Sequence, residues 1–501
     1  MAGSVIKDVP DTASLTEKLQ WLQTNAESNG EYTLVVTNDE SIKAQTLSFS
    51  DKSNITVRLT GSDGEKIISL LDKGSLFTIE SGVTLVLDSG ITLKGHDEND
   101  SALVSVSDDG GGALIMNSGA RIRGNTNIKD TGGNGGGVYI GSNGSFTMIG
   151  GEILDNNTRK AAVEDGAGPG VRMLRAISYS TGGGVSAFGS FTMKGGKIYN
   201  NRTDCYGGGV HVVGNFIMEG GEISHNKADY GGGVRVHLGG NFTMEGGKIS
   251  NNNAFNDGGG VNVFCGIFTM RGGEISNNTS KGGGGVMVVG NMETMKKIGT
   301  FTMEGGKISD NTSNFGGGCN VNEDGSFIMK GGEISCNTAN VGGGVYLYHD
   351  KEFTKTGGTI YGYTNGDMDS NKAQNKGNAL YYAIDDSGYM RRENTAGPDV
   401  NMSDINDDTW KSGTTKSSGG GGGCYIATAV YNSYDAPEVR CLRRFRDEVL
   451  STSIFGRLFI SLYYFFSPPI AEWLKKTRRI NMAVRKILDK VVMRLNKKFN
   501  N

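Results

Sequence analysis

Phe242-Thr243-Met244-Glu245-Gly246-Gly247-Lys248-Ile249 is one copy of a phrase that recurs along the chain. Its phenylalanine falls at Phe146, Phe191, Phe216, Phe242, Phe268, Phe301, Phe327 and Phe353, at intervals of 45, 25, 26, 26, 33, 26 and 26. The unit is therefore about 26 residues, lengthened by insertions in the first and fifth intervals. Most units open on a glycine triplet and an apolar stretch, as in Gly207-Gly208-Gly209-Val210-His211-Val212. The Phe-x-Met stretch follows, then Gly-Gly, then an Ile segment ending in Asn. Each unit thus holds three short segments of period 2 between glycine corners, a pattern of strands rather than helices. One such turn of chain cannot bury its own apolar face. Successive turns stacked in register at about 4.8 Å can. The spacing predicts an all-β solenoid, a parallel β-helix of three-strand coils.

The columns of that stack are readable in advance. Phe and Met, two apart, point the same way and form inward ladders, with the Thr between them outside. An Ile column runs through Ile153, Ile198, Ile223, Ile249, Ile275, Ile308, Ile334 and Ile360. Three residues after each Ile up to Ile334 stands an asparagine, from Asn156 to Asn337, and stacked amides hydrogen-bond from coil to coil. The column is expected to break where Tyr363 replaces Asn. The residue before each Ile alternates in charge: Glu152, Lys197, Glu222, Lys248, Glu274, Lys307, Glu333. Parallel strands in register place these side chains one strand spacing apart, where opposite charges attract.

Composition agrees. The chain has 81 glycines in 501 residues, 6 prolines and a formal net charge of -3. Scarce proline and the absence of a Gly-X-Y period exclude collagen, and regular apolar spacing argues against disorder. Six cysteines without a Cys-x-x-Cys pair indicate single buried thiols rather than a disulfide framework or a zinc site. Residues 1–10 show no apolar run after a basic start, so no secretory signal is visible. The expected location is cytoplasmic as written, with the membrane periphery or an unconventional export route as alternatives.

With its Gly-Gly and Phe-x-Met phrases, the block at roughly 30–390 resembles the repeats of polymorphic outer-membrane proteins and, more broadly, the pectin-lyase-like fold. The resemblance implies a right-handed β-helix over residues 31–390. Residues 1–30 are expected to cap it with a helix. Ser14 and Glu17 form a capping-box signature, Leu15, Leu19 and Leu22 an apolar face, and Gly30 a stop. Residues 391–423 are polar, end in five glycines and read as a flexible linker.

From Cys424 the composition changes. Residues 424–501 carry fifteen Lys and Arg against six Asp and Glu, a net +9, which leaves -12 for the rest. Cys424-Tyr425-Ile426-Ala427-Thr428-Ala429-Val430-Tyr431, Leu442-Arg443-Arg444-Phe445 and Ser467-Pro468-Pro469 resemble the CFI box, a module at the ends of otherwise unrelated bacterial proteins. Read physically, the module is helical. Val439, Leu442, Phe445 and Val449 share one face, and Val484, Ile487, Leu488, Val491 and Leu495 share another. Its apolar run of about nine residues is too short to span a bilayer, which takes about 20. Either it is buried in a small bundle, or the basic, aromatic surface of Phe459, Tyr463, Tyr464, Phe466, Trp473, Lys475, Lys476, Arg478 and Arg479 meets an anionic membrane or a protein partner. No nucleic-acid signature is present, and no nucleic acid is expected as partner.

Candidate sites are few. The insertion between Asn157 and Gly182 carries Arg159, Lys160, Arg172 and Arg175 and is the candidate binding loop. Gly422, Gly423 and Cys424 mark a candidate protease cleavage point. The five histidines do not share one column, and the Asp pairs at 108–109, 385–386 and 407–408 lie outside the regular repeat. No catalytic residues, metal or cofactor are expected. The reading is a non-enzymatic interaction scaffold with a basic C-terminal module. The alternatives are a membrane-active effector released at the linker, and a polysaccharide-binding or -cleaving enzyme.

Overall fold

The computed structural model describes residues 13–128, 135–159, 181–290, 298–322, 325–349, 353–362, 369–376, 379–384 and 393–394. Of the C-terminal part it describes residues 430, 438, 442, 445, 484–486, 488–490 and 492. Two compact units divide between Gly413 and Thr414.

The first unit is a parallel β-solenoid. Sheets A and B each stack 12 strands and sheet C stacks 13, every strand pairing with its counterpart one coil away. A coil runs from sheet C (Val210–Val212) through A (Asn215–Met218) and B (Glu222–Ser224). A fourth short strand, Lys227–Tyr230, then leads back to sheet C at Val234–His237. That fourth strand departs from the three-strand expectation. Its strands run two to five residues and point only small groups inward, such as Ala228, Ala254 and Ala339, so no apolar period announces them. Stacked over Thr126–Asn127, Asn157–Thr158, Arg202–Thr203, Lys227–Tyr230 and Asn253–Asp257, they form a five-stranded sheet D, and a three-stranded group continues it.

The inward columns form as the repeat implies. Eight phenylalanine rings from Phe146 to Phe353 stack with centroids 4.6 to 5.0 Å apart. Met148 to Met329 and Ile153 to Ile360 are fully buried beside them. Toward the N-terminus the same column holds Leu114, Leu85, Val57 and Tyr32, aliphatic for most of its length, which is why those coils repeat weakly in sequence. Burying each such side chain contributes about 1.5–3 kcal/mol.

The corner after each Gly-Gly needs glycine twice over. Gly221 has φ 86°, and a Cβ there would lie 2.6 Å from Met193 Cε of the coil below. The corner before the asparagine column uses the left-handed region without glycine. Asp155, Asn200, His225, Asn251, Asn277, Asp310 and Cys336 all have φ between 54° and 59°. Asn and Asp tolerate that region, whereas His225 and Cys336 are strained there.

The asparagine ladder is longer than its sequence signature. From Asn156 to Asn337 each amide donates to an Ile carbonyl of the preceding coil and to the asparagine of the next, and its oxygen accepts the backbone N–H of the preceding coil's asparagine. Asn252 Nδ2, for example, reaches Ile223 O at 2.9 Å and Asn278 Oδ1 at 3.0 Å, while Asn226 N donates to Asn252 Oδ1 at 3.0 Å. The ladder starts at Asn99 and Asn125 and does not break near Tyr363, which itself lies outside the described residues. Asn371 takes the position instead, accepting from Asn337 N at 2.8 Å and donating to Ile334 O at 2.8 Å. The chain between Ile360 and Asn371 is an insertion that leaves the column intact.

The charge column pairs in register, Lys197 opposite Glu222, Lys248 opposite Glu274 and Lys307 opposite Glu333, with N–O distances of 3.7, 3.0 and 2.8 Å. Arg121 extends it, bonding Glu152 at 2.7 Å. A second ladder on the residue after Met went unread: Arg271 bridges Glu245 and Glu304, and Lys330 joins Glu304.

Helix Leu15–Asn25 caps the N-terminal end, with the Ser14/Glu17 capping box formed and Leu15, Leu19 and Leu22 buried. It ends at Ala26 in extended conformation, not at Gly30. Gly30 instead leaves room for the Tyr32 ring, 2.6 Å from where a Cβ would sit. Lys18 Nζ donates to Val35 O, closing the edge of the first coil. At the far end Glu393–Asn394 pairs antiparallel with Leu380–Ile384, so the solenoid reaches slightly into the segment read as linker. An antiparallel closing strand ends the parallel register that further growth would need.

In the second unit residues 430, 438, 442, 445, 484–486, 488–490 and 492 are helical. Val492, which the periodicity left off the apolar face, is buried against Leu442 and Phe445. With half-buried Val484 and Leu488 it makes an i, i+4, i+8 stripe. Among the described residues no helix is long and apolar enough to cross a membrane.

Two outcomes follow from the columns. Phe242→Ala removes a central ring from an unbroken stack and should cost about 3–5 kcal/mol in urea unfolding. Lys248→Glu sets an acid between Glu222 and Glu274 and should cost about 1 kcal/mol at low salt, shrinking when salt is raised. A salt-independent loss would contradict the pairing.

Candidate functional site

In sheets A and B the inward columns repeat one residue type over most coils, and the outward column of sheet B before the Ile alternates Glu with Lys. The outward column of sheet C does neither. At the middle position of each strand, which is Val-x-Val in four of the coils, it reads, coil by coil, Tyr139, Ser186, His211, Arg235, Asn262, Met287, Asn320, Tyr346 and Tyr381. Parallel pairing puts these side chains side by side on one face. A second column, from the residue before each glycine triplet, adds Tyr206, Tyr230 and Asp257. The triplet holds the two columns close: a Cβ on Gly207 would lie 2.9 Å from His211 Cα. A third contributes Phe188, His237 and Phe264.

Arg235 is the centre. It is 4% exposed, and its guanidinium carbon lies 4.1 Å from the Tyr206 ring centre, 5.3 Å from Tyr230 and 5.0 Å from Phe264. Nη1 donates to Asn262 Oδ1 at 3.1 Å, and Nε has no hydrogen-bond partner. One coil away His211, 1% exposed, shares a 3.4 Å contact between its Nε2 and His237 Nδ1, and its own Nδ1 is unpartnered. Rings of Tyr206 and Phe188 lie within 6.3 Å of His211.

Burial sets the charges. It pushes the Arg235 guanidinium down to about 10, opposed by Tyr206, Tyr230 and Asp257. His211 is pushed well below the usual imidazole range by burial, then by His237 and Arg235. Burial and the Arg235 charge take His237 down to about 3. Burial raises the Asp257 carboxyl, and Arg235 and Lys281 partly offset it. At neutral pH both imidazoles are uncharged, and Arg235 carries the positive charge of the cluster. Among the described residues no three His, Cys, Asp or Glu come together as a metal-ligand set. The cluster brings together stacked rings, a desolvated cation and neutral imidazoles.

Further along the same face, Tyr346 meets Phe315 and Tyr381 with ring centres 5.4 and 5.6 Å away. Phe255, 64% exposed, carries Lys281 Nζ 3.8 Å from its ring centre.

The residues singled out from sequence lie elsewhere. Arg159 is exposed at the end of its sheet D strand, its N–H donating to Asn127 O at 2.9 Å. Lys160, Arg172 and Arg175, the junction at 422–424 and the surface at 459–479 lie outside the described residues. Asp108, set aside as irregular, accepts from Tyr139 Oη at 3.0 Å and Ser142 N at 2.7 Å. Cys205, Cys265 and Cys319 are buried, and Cys319 takes a valine position in the inward column of sheet C. The sequence does not place two histidines in one column, and His211 indeed pairs in register with Arg235. Yet His237, two residues on, leans back to touch His211. The signal for the whole cluster was present: the middle residue of Val-x-Val varies where everything around it repeats.

No protein family, curated protein or solved structure matches the chain.

The histidine pair predicts an acid sensitivity. Both imidazoles titrate lower in the folded protein than in the unfolded chain, so the unfolded chain binds protons first as pH falls. The stability they contribute is complete above about pH 6.5 and is lost below it, by about 1.4 kcal/mol per histidine per pH unit. Between pH 6.5 and 5, before most carboxylates protonate, urea midpoints should fall. The fall should flatten in the double variant His211→Asn, His237→Asn. An equal slope in both proteins would refute the assignment.

Proposed function

We propose that the protein is a non-enzymatic interaction scaffold. In this reading the solenoid offers the outer face of sheet C to a partner, and the basic C-terminal helical unit holds the protein at an anionic membrane surface. The observation that carries the first part is the contrast between columns. Identical columns serve stacking, and any coil can supply them. A column whose members change at every coil from Tyr139 to Tyr346 distinguishes one place on the solenoid from another, as recognition requires. Its content of tyrosine, arginine, histidine and asparagine is that of binding surfaces.

For the second part, residues 424–501 carry the net +9. On the described helix Arg485, Lys486 and Lys490 are exposed while Val484, Leu488 and Val492 turn inward. Such a helix keeps its apolar stripe for its own unit and carries Lys486 and Lys490 on its solvent side, and at an anionic surface each Lys or Arg is worth about 1 kcal/mol. The resemblances to outer-membrane repeats and to the CFI box agree with a surface-associated bacterial protein and add no chemistry.

Cosedimentation with vesicles tests the attachment. The full chain should bind phosphatidylserine-containing vesicles at least ~10-fold more tightly than neutral ones, and about 0.5 M salt should weaken binding because the Debye length falls to about 4 Å. A chain ending at Gly413 should not bind. Equal binding to neutral and anionic vesicles, or binding by the shortened chain, would refute the attachment.

A further inference from the structure

Arg235 is a buried cation without a counter-charge. Asp257 acts on it through space but makes no ion pair with it within 4.0 Å, and its hydrogen bonding stops at Nη1 with Asn262. The rings of Tyr206, Tyr230 and Phe264 attract the charge through their π faces. They do nothing for the in-plane donors, which need an oxygen acceptor. With Nη1 engaged, the edge left open is the one formed by Nε and Nη2, whose two parallel N–H bonds match the two oxygens of a carboxylate. His211 Nδ1, a second buried polar atom without a partner, stands on the adjacent coil. A chain built only for stability would fill this place with an apolar side chain, because an uncompensated buried charge weakens the fold.

We propose that the outer face of sheet C at Arg235 is a carboxylate-binding site, the Nε–Nη2 edge of the guanidinium taking the two oxygens. Both histidines are neutral there, so Arg235 is the cation that faces the ligand, and the Asp257 carboxyl nearby is shared with Lys281. A monoanion therefore suits the place better than a phosphate dianion, which the Asp257 carboxyl would repel more strongly. The stacked rings favour a carboxylate carried on a body with apolar surface over a bare inorganic ion. Two sources share this chemistry: a free organic acid, and the Glu or Asp side chain of a partner polypeptide. The inference deepens the scaffold reading by naming what the recognition face takes.

The test uses the full chain with 15N-labelled arginine. The Arg235 Nε–H resonance, assigned by its loss in Arg235→Met, should shift and saturate on titration with sodium acetate or with a glutamate-containing tetrapeptide. Sodium chloride at equal ionic strength should leave it unmoved. Arg235→Lys keeps the charge but loses the fork, and the thermal shift induced by the same ligand should require at least ~10-fold more of it. Saturation by acetate identifies the free acid as sufficient, and a response to the peptide alone identifies the partner side chain. A resonance that moves with neither, or equally with chloride, overturns the site. Should Arg235→Met fail to fold, Arg235→Lys provides the assignment by the same loss of signal. Vesicle binding does not involve Arg235, so a negative result here leaves the membrane attachment standing, and a negative vesicle result leaves the carboxylate site standing.

Discussion

The architecture depends on one buried corner. Where each coil turns out of sheet B, a left-handed residue swings the chain around and an asparagine side chain enters the wall between coils. Its amide hydrogens go to an Ile carbonyl on one side and to the next asparagine on the other. Its carbonyl receives the backbone N–H of the adjoining coil's asparagine. Leaving such a buried group unpaired costs about 1–3 kcal/mol, and the penalty recurs in every coil. Only one register satisfies all of them. Sliding a strand by one residue would break the amide chain and turn the Phe and Ile columns toward water. The phenylalanine stack and the alternating charges are in this sense consequences of the amide ladder as well as contributors of their own.

Because register is so heavily determined, part of the surface is released from structural duty. Sheets A and B repeat their inward columns, and sheet B adds its alternating charges outside. Sheet C repeats only inside, where valines pack, and its outer column is free to differ from coil to coil. A desolvated arginine without an acid is tolerable in such a setting, since solenoid stability is approximately a sum over repeats and their interfaces. One unfavourable coil is carried by its neighbours. The same logic explains His225 and Cys336, which sit at left-handed corners where their equivalents are Asn or Asp.

Much of the stack was legible from sequence for a simple reason. An inward residue at a fixed place in a repeat must resemble its equivalents above and below, so spacing alone reveals the Phe, Met, Ile, Asn and Glu/Lys columns. The N-terminal capping box was legible because it is local, Ser14 and Glu17 lying three residues apart. Less legible was anything whose partners come from different coils at unlike positions. Asn371 joins the ladder across an insertion, and no spacing rule finds it. The fourth strand escaped because its inward residues are too small to give a period.

The outer face of sheet C shows the limit most clearly. Sequence by itself determined that residue 235 would sit between two inward valines, and so would point outward. Outward normally means solvated, which makes an arginine there unremarkable. Tertiary stacking decided otherwise. It brought Tyr206 and Tyr230 from one column, Phe264 and His237 from another and Asn262 from the next coil around the same guanidinium, and removed it from water. Burial is a property of neighbours, and these neighbours are 2 to 29 residues away, in both directions along the chain. The repeat determined the direction of the side chain, and the surroundings that change its chemistry exist only once the coils are stacked.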